Sequence, residues 1–415
     1  MKIKIDEVKF IKELYPRFEL DNYVVNQYRQ SIETLPPIVL SKNMILIDGY
    51  HRLIAHRLEE ISEIEAEILD IDDKKEIFLE AIARNSSHGK QLQIEEKSKL
   101  APKLYSMNVS LEEISRILAI SKTKVYDWTS NLREKETERK DIEVLDLYLQ
   151  CYSYNEIEEK LKMGHGTPSN RLLKTLEKIS ANGKILQPDN LQLYNVWGVG
   201  KLSQSQLKYP GQTPQDIIEN IIYYYTEPPQ TDPQIKLSKV IDPMAGSGII
   251  RDVCKKLFRR YMLFDIKPVR EDIPITQNDI LEGLPDTAKN TDLAYFDPPY
   301  FNLMNEYPDN HFTETYDTFL NAMEKSFKNL RPILNKNGRI ALILKPMNEK
   351  MLSGEWLDMT FDCVSIAKNL EYKIEKRIVA PLSTQQFNGN DVTRAKERKI
   401  MLNTLRDIVI LRKEG

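Results

Sequence analysis

A short apolar run, a loop with two glycines and a helical pattern follow one another between residues 239 and 257. The run from Lys239 to Asp242 predicts a buried strand, and the pattern from about Ile249 to Leu257 predicts a helix. Gly246 and Gly248 between them allow a tight turn and a close approach of the backbone to a ligand. This order of strand, loop and helix N-terminus is typical of the ligand-binding edge of an α/β sheet.

Aspartates stand at the ends of the strands predicted next along the chain. Asp265 follows Asp242 by 23 residues, close to the spacing expected of a carboxylate that bonds ribose hydroxyls. Asp279 and Asp297 follow at later strand ends. Because parallel strands end at a common edge of the sheet, we expect these four carboxylates at one binding edge. The apolar segments behind these predictions are 261–264, 275–280 and 293–296.

Two prolines follow Asp297 directly, and Tyr300 follows them. Each proline lacks a backbone N–H and has a fixed φ, so the chain must leave the strand in an extended turn. The Asp297 carboxylate and the Pro298 carbonyl can then accept hydrogen bonds from an exocyclic amine, while Tyr300 covers the ring that carries the amine. We therefore expect this corner to bind a nucleobase that has been flipped out of a duplex.

Together, the two motifs resemble those of the amino-methyltransferases that methylate adenine N6 or cytosine N4 in DNA with S-adenosylmethionine. The resemblance covers roughly Tyr209 to the C-terminus, and it implies an α/β, Rossmann-like domain with a mostly parallel seven-stranded sheet and a C-terminal hairpin. It implies that Asp297, Pro298, Pro299 and Tyr300 bind the target base. The cofactor-binding residues that it implies are Pro210, Gly211, Gln212, Asp242, Pro243, Met244, Ala245, Gly246, Ser247, Gly248, Asp265, Ile266, Asp279, Ile280 and Asp297.

Residues 1–90 show a different pattern, with short mixed strands and one helix from Tyr50 to Glu60. The stretch from Ile47 to Ala55 resembles the N-terminal domain of the ParB partition proteins and the related sulfiredoxin-like fold, which implies a small α+β domain that binds a nucleoside triphosphate. Tyr50, His51 and Ile54 depart from the acidic and basic residues of that family. A nucleotide site and a purely structural helix start with Arg52 therefore both stay open.

Residues 91–180 are predicted to be helical and contain two similar units. In the first, Ser110 and Glu113 form a capping box before the helix from Leu111 to Leu118, and a second helix runs from Lys122 to about Arg133. This spacing is typical of a helix-turn-helix, and packed hairpins without DNA contact are the alternative. The second unit has helices at 157–163 and 167–179, beyond the charged run 133–141. The expected DNA-binding residues are Lys122, Thr123, Lys124 and Tyr126.

A polar stretch, 181–208, is interpreted as a linker to the methyltransferase domain, 209–415. Two basic clusters lie within that domain. Arg251 to Arg270 holds seven basic and two acidic side chains, and Thr393 to Gly415 holds seven and three. Either cluster could face phosphates, and a solvated helix face is the alternative for the first. The polar, basic segment from Ser383 to Asn403 is expected to lie over the DNA.

The composition of the chain excludes several classes of protein and of functional site. The chain has 415 residues and a net charge of −3, which argues against a generally basic nucleic-acid coat. Its three cysteines and five histidines are scattered, so we expect neither a metal site nor a cysteine nucleophile. No apolar run is long enough to span a bilayer and no signal peptide is visible, so a cytoplasmic location is expected.

The sequence therefore predicts a site-specific DNA methyltransferase that modifies adenine N6 in duplex DNA, because the resembling adenine enzymes more often carry Asp-Pro-Pro-Tyr. Cytosine N4 is the nearest alternative, and RNA or guanine N2 are more distant ones. A ParB-like DNA-binding regulator with a vestigial methyltransferase domain is the alternative from another class. The recognition sequence, a homodimer and a restriction partner stay open.

Overall fold

A computed structural model describes most of the chain. The chain folds into two compact units, Met1–Lys140 and Asp141–Gly415. Within the described ranges, no helix combines the length and the apolar composition needed to cross a membrane. The described residues are 1–17, 20–87, 92–181, 187–198, 213–229, 237–299, 312, 315–344, 357–381, 389–399, 401–402 and 404–414.

The first unit begins with a four-stranded sheet in the order β1-β4-β2-β3, in which β2 pairs with β4 in parallel and the other pairs are antiparallel. The strands are β1 (Lys2–Lys4), β2 (Ile38–Ser41), β3 (Leu46–Asp48) and β4 (Glu63–Leu69), and the helices beside them are α1 (Asn22–Gln30), α2 (Tyr50–Leu58) and α3 (Lys74–Ser87). Alternation along β4 buries Ile64 and Ala66 and exposes the alternating glutamates Glu63, Glu65 and Glu67. The small mixed α+β fold expected here is confirmed.

Four helices follow: α4 (Ile94–Ser106), α5 (Leu111–Leu118), α6 (Lys122–Trp128) and α7 (Ser130–Leu149). The Ser110 side chain caps α5 by accepting from the Glu113 backbone N–H, and Ser121 caps α6 in the same way through Lys124. The second helix of the predicted pair ends at Trp128, earlier than about Arg133. The charged run 133–141 lies inside α7, since Glu, Lys and Arg favour a helix and pairs such as Glu136 with Lys140 stabilise it.

The second unit contains a seven-stranded sheet in the order β10-β11-β9-β8-β5-β6-β7. All neighbours from β9 to β7 pair in parallel, and β11 is antiparallel to both β9 and β10. The mostly parallel sheet with a C-terminal hairpin predicted from the sequence is thereby confirmed. The strands are β5 (Lys239–Asp242), β6 (Arg260–Asp265), β7 (Ile275–Gln277), β8 (Thr291–Phe296), β9 (Leu334–Leu344), β10 (Tyr372–Pro381) and β11 (Leu405–Lys413).

Helices cover both faces of this sheet through two apolar clusters. One cluster joins Val240 and Val253 to Val144, Tyr148 and Leu172, so the helices after residue 141 share a core with the sheet. The second helical unit of the sequence is thus part of this compact unit. The helices of that predicted helical unit are α8 (Tyr154–Leu161) and α9 (Thr167–Ala181). The later helices of the compact unit are α10 (Gln215–Tyr225), α11 (Ile249–Leu257), α12 (Tyr316–Leu330), α13 (Met359–Asn369) and α14 (Gly389–Arg398).

The described part of the expected linker, 187–198, is packed within the second unit. The Trp197 side chain is 2% exposed, and its backbone N–H donates to the Val379 carbonyl at 2.9 Å. The Gln192 N–H donates to Asn220 Oδ1 at 2.8 Å. The polar composition of this segment indicated a linker, but the segment also contains Trp197, whose buried side chain holds it in the core. This explains why the structure differs from the predicted linker.

Candidate active site

Three of the predicted carboxylates lie at one edge of the large sheet. Asp242 and Asp265 are the last residues of β5 and β6, and Asp297 follows the last residue of β8. These strands are neighbours in the sheet, and they pair in parallel. Their carboxyl ends therefore meet at a common edge, where open α/β sheets bind ligands.

The loop after β5 is bent by two glycines with positive φ, +47° at Gly246 and +70° at Gly248. Its turn is closed by a 2.7 Å hydrogen bond from the Gly248 N–H to the Ala245 carbonyl. A Cβ added at Gly248 would collide with Ile273 Cδ1. The positive φ therefore favours glycine at 248, and a larger residue would also displace the Ile273 side chain.

Asp265 ties this loop to the next strand. Its Oδ2 accepts from the Gly246 N–H at 2.8 Å, and its Oδ1 accepts from the Lys267 N–H at 2.9 Å. The carboxylate thus holds the glycine loop and the turn after β6 in fixed positions. Ile266 beside it is 52% exposed, so an apolar side chain stands open to a ligand next to the acidic one.

Asp242 is buried at 3% exposure, and its Oδ1 accepts from the Met244 N–H at 3.0 Å. Burial raises the pKa of this carboxyl well above its ordinary value. The hydrogen bond from Met244 lowers the pKa, whereas the negative charges of Asp265 and Asp297 raise it further. The three carboxylates are therefore close enough to interact. Such a cluster favours a cationic ligand, whose positive charge would offset their repulsion.

Asp297 is held by two hydroxyl groups that the sequence did not indicate. Thr213 Oγ1 donates to its Oδ2 at 2.6 Å, and the Tyr295 hydroxyl lies 3.4 Å from the same oxygen. Burial, and next the charge of Asp297, raise the pKa of Tyr295 well above its ordinary value, so this hydroxyl stays protonated and can donate. Alternation along β8 could have suggested Tyr295, two residues before Asp297, whereas no sequence signal pointed to Thr213.

The remaining predicted residues fall into three groups. Asp279 caps a short 3-10 turn by accepting from the Leu281 N–H at 2.8 Å, and the Ile280 side chain is buried in the core. Pro243, Ser247 and Pro298 are buried within the site, and Met244, Ala245 and Pro299 lie beside them in the two motifs. Pro210, Gly211, Gln212 and Tyr300 lie outside the described residues.

In the first unit, the side chains at the start of α6 face solvent. The Lys122 ammonium pairs with the Glu112 carboxylate. Tyr126 is 55% exposed, and the Arg133 guanidinium stacks 3.4 Å from its ring centroid. Cationic and aromatic groups thus share one exposed surface. The predicted DNA-binding residues Lys122, Thr123, Lys124 and Tyr126 are all exposed.

At the start of α2, the candidate phosphate contacts are engaged within the unit. Arg52 Nη2 pairs with Asp48 Oδ2 at 2.8 Å, and His51 Nε2 accepts from the Asp21 N–H at 3.1 Å. Gly49 has φ +102°, and a Cβ there would collide with Ile38 and Arg52. These contacts favour the structural interpretation of this helix start.

Most of the basic cluster from Arg251 to Arg270 is likewise engaged inside the second unit. Arg259 is buried and donates to Thr226 Oγ1 at 2.6 Å, and Lys256 pairs with the buried Glu219 at 2.8 Å. The cluster therefore serves the structure of the unit more than an anionic partner. Helix α14 differs, because its basic side chains Arg394, Lys396 and Arg398 are exposed.

Comparison with known families gives a match over more than half of the chain. The family described as DNA methylase, of the N6/N4 type, matches residues 21–276. That stretch includes the glycine loop and Asp265 and ends before Asp297. No curated protein sequence matches the chain significantly.

Solved structures resemble parts of the chain at low identity. ParB from Caulobacter crescentus, complexed with CTP-gamma-S, is 16% identical over 32% of this chain and 78% of its own, with a TM-score of 0.20. A protein described as a DNA modification methylase from Thermus thermophilus, complexed with S-adenosyl-L-methionine, is 17% identical over 33% and 50%, with a TM-score of 0.23. A TehB-like methyltransferase from Corynebacterium glutamicum is 12% identical over 59% and 98%, with a TM-score of 0.30.

Proposed function

This chain belongs to the N6/N4 DNA methylase family, and we propose that it uses S-adenosylmethionine to methylate the exocyclic N6 amine of adenine in duplex DNA. The observation that carries the proposal is the position of Asp297 beside Asp242 and Asp265 at one sheet edge. Asp297 opens an Asp-Pro-Pro-Tyr motif, which supports adenine, since cytosine enzymes resembling this chain usually begin the motif with serine.

The residues at this edge fit the cofactor chemically. S-adenosylmethionine, when bound, supplies a methyl group on a positively charged sulfur, and the interacting carboxylates complement that charge. We assign the methionine end to the glycine loop, Asp242 to Gly248, and the ribose to Asp265. The exposed Ile266 would cover the adenine, with Asp279 and the backbone of Ile280 beyond it. Pro210, Gly211 and Gln212 are assigned to the methionine end by resemblance.

Asp297 would act on the amine of the substrate base. The lone pair of that amine is delocalised into the ring, so the amine is a poor nucleophile. Two acceptors, the Asp297 carboxylate and the Pro298 carbonyl, favour the pyramidal amine that develops during transfer, which stabilises the transition state more than the bound substrate. Asp297 or water takes the proton that leaves after transfer. Tyr300 is proposed to stack on the flipped base.

We further propose that the first unit contacts the DNA through α6. Lys122, Lys124 and Tyr126 are exposed at its start, and recognition helices meet base edges and phosphates with such residues. The described residues of the second unit belong mostly to its sheet and the covering helices. The first unit is therefore the better candidate for site preference.

The test is to incubate the full chain with radiolabelled S-adenosylmethionine and unmethylated duplex DNA, and then to identify the labelled nucleoside. We expect N6-methyladenine. Asp297→Ala should lower transfer by about 100-fold or more, because the acceptor for the amine is lost. Asp286→Ala is the matched control, since Asp286 is an exposed aspartate of the same unit, and its activity should equal that of the unmodified chain.

The other outcomes separate the alternatives. If the labelled nucleoside is N4-methylcytosine, the target base is cytosine and not adenine, and the proposed roles of the residues stay the same. Binding of S-adenosylmethionine without transfer to any DNA, unchanged by Asp297→Ala, would contradict the proposal in favour of a DNA-binding regulator.

A further inference from the structure

Thr213 is almost completely buried, at 3% exposure, and lies just before the helix α10. Its hydroxyl donates to Asp297 Oδ2 at 2.6 Å across 84 residues of chain. A buried hydroxyl that makes a short bond to an anionic acceptor is held in one rotamer, and it holds its acceptor in turn. Both ends of the bond are therefore fixed at the candidate catalytic carboxylate.

We propose that Thr213 is a positioning residue, which holds the Asp297 carboxylate in the orientation needed to accept the amine of the target base. This inference rests on the proposed function. Asp297 follows the end of β8 and precedes two prolines, which constrain its backbone. The short Thr213 bond constrains the side-chain torsions of Asp297, and a small misplacement of a reacting group costs a large factor in rate.

Tyr295, on β8 and two residues before Asp297, contacts the same carboxylate. Its side chain is 3% exposed, and its hydroxyl lies 3.4 Å from Asp297 Oδ2. This contact is longer than the one from Thr213, and bond strength falls with distance. We therefore assign the main orienting role to Thr213 and a secondary one to Tyr295.

The test compares Thr213→Val, which keeps the shape and removes the hydroxyl, with Thr213→Ser, which keeps the hydroxyl. Methyl transfer to DNA is measured as kcat and KM, and S-adenosylmethionine affinity by calorimetry. We expect Thr213→Val to lower kcat by about 10- to 100-fold, with KM for DNA and cofactor affinity within about two-fold. Thr213→Ser should restore most of kcat.

Thr360 offers a matched control in the same unit. It is also 3% exposed, and its hydroxyl donates to the Asp407 carboxylate at 3.0 Å. Thr360→Val should lower thermal stability about as much as Thr213→Val and leave kcat unchanged. The comparison separates the loss of a buried Thr–Asp bond from the loss of carboxylate orientation.

Three outcomes would overturn the inference. One is an unchanged kcat in Thr213→Val, and another is a kcat loss that Thr213→Ser does not reverse. The third is an equal kcat loss in Thr360→Val, which would indicate a general effect on stability. An unmodified chain that methylates no DNA, although it binds S-adenosylmethionine, would instead overturn the proposed function and this inference with it.

Discussion

The carboxylates at the sheet edge repel one another, and the fold tolerates this in different ways at each residue. The Asp265 carboxylate accepts hydrogen bonds from two backbone N–H groups, those of Gly246 and Lys267. Asp242 has one such donor and is buried, and its pKa is raised as a result. The edge therefore carries negative charge, and a bound cation would reduce the repulsion between the carboxylates. Cofactor binding and the protonation of Asp242 are coupled for this reason.

This raised pKa gives a prediction for stability against pH. A carboxyl whose pKa is higher in the folded state stabilises the fold while it is protonated, and that contribution is lost as pH rises from the ordinary aspartate pKa through the raised one. Asp242→Asn does not titrate. We therefore expect the stability of Asp242→Asn relative to the unmodified chain to increase with pH, by up to about 1.4 kcal/mol per pH unit in that window.

Thermal unfolding of both proteins between pH 5 and pH 8, without cofactor, measures this difference. Asp286→Asn, at a side chain that is 88% exposed, should follow the unmodified chain at every pH. A difference between Asp242→Asn and the unmodified chain that does not change with pH would contradict the prediction.

The structure agrees with the predicted positions of three carboxylates at strand ends, while their roles in binding and catalysis stay predictions. Asp242, Asp265 and Asp297 followed from the alternation of apolar runs and polar ends, because parallel strands bring such ends together. Thr213 could not be predicted as a partner of Asp297, since their hydrogen bond joins positions 84 residues apart. Local patterns do not report which distant side chain fills the space beside a carboxylate.

At the scale of elements, α5 and α6 were predicted from capping serines and short spacing, and α5 begins and ends at the predicted residues. Helix α7 was missed as one element. Its hydrophobic pattern is weak over the charged run, so periodicity gave no signal there, although its residues favour a helix individually. The surface of α6 carries the proposal for DNA contact.

Replacing both Lys122 and Lys124 by alanine should weaken DNA binding. Lysines that bind phosphates release counterions, so the slope of log affinity against log salt should fall in magnitude by about one for each lysine–phosphate pair removed. The Lys122 pair with Glu112 is exposed, so its removal should change stability little. Fluorescence anisotropy with a labelled duplex at several salt concentrations measures both the affinity and the slope.

The double variant Lys2→Ala, Lys4→Ala is the control, because it removes two exposed lysines of the first unit that lie on β1. It should leave the salt slope within error of the unmodified chain. An equal decrease of the slope in both double variants would mean that general charge, and not the surface of α6, governs binding.

For the whole molecule, the boundary between the two units falls at residue 140, inside α7. The sequence suggested that residues 91–180 form a separate helical region, since they share one pattern of caps and helices. The structure places 141–181 in the core of the second unit, through Val144, Tyr148 and Leu172. Arg260 also donates to the Tyr148 carbonyl and lies over its ring. Two helical segments with similar sequence patterns can pack into different hydrophobic cores, so the pattern alone does not predict the core to which each segment belongs.

Two truncations test this boundary. The fragment 141–415 keeps the whole apolar cluster, and we expect it to fold and to bind S-adenosylmethionine with nearly unchanged affinity. The fragment 182–415 loses Val144, Tyr148, Leu149, Ile157, Leu172 and Leu176, which are at most 6% exposed. Full burial of each such side chain contributes about 1.5–3 kcal/mol, and a domain is stable by only about 5–15 kcal/mol. We therefore expect 182–415 to aggregate or to unfold far below 141–415.

The same pair of fragments assigns site preference. If the first unit supplies the contacts that select a site, 141–415 should bind cofactor normally, methylate long duplex DNA slowly and distribute the methyl groups over more sequences than the full chain. Thermal unfolding, calorimetry with S-adenosylmethionine and sequencing of methylated positions measure the three properties. Site selection retained in 141–415 would place specificity in the second unit, where the exposed basic helix α14 would become the element to mutate.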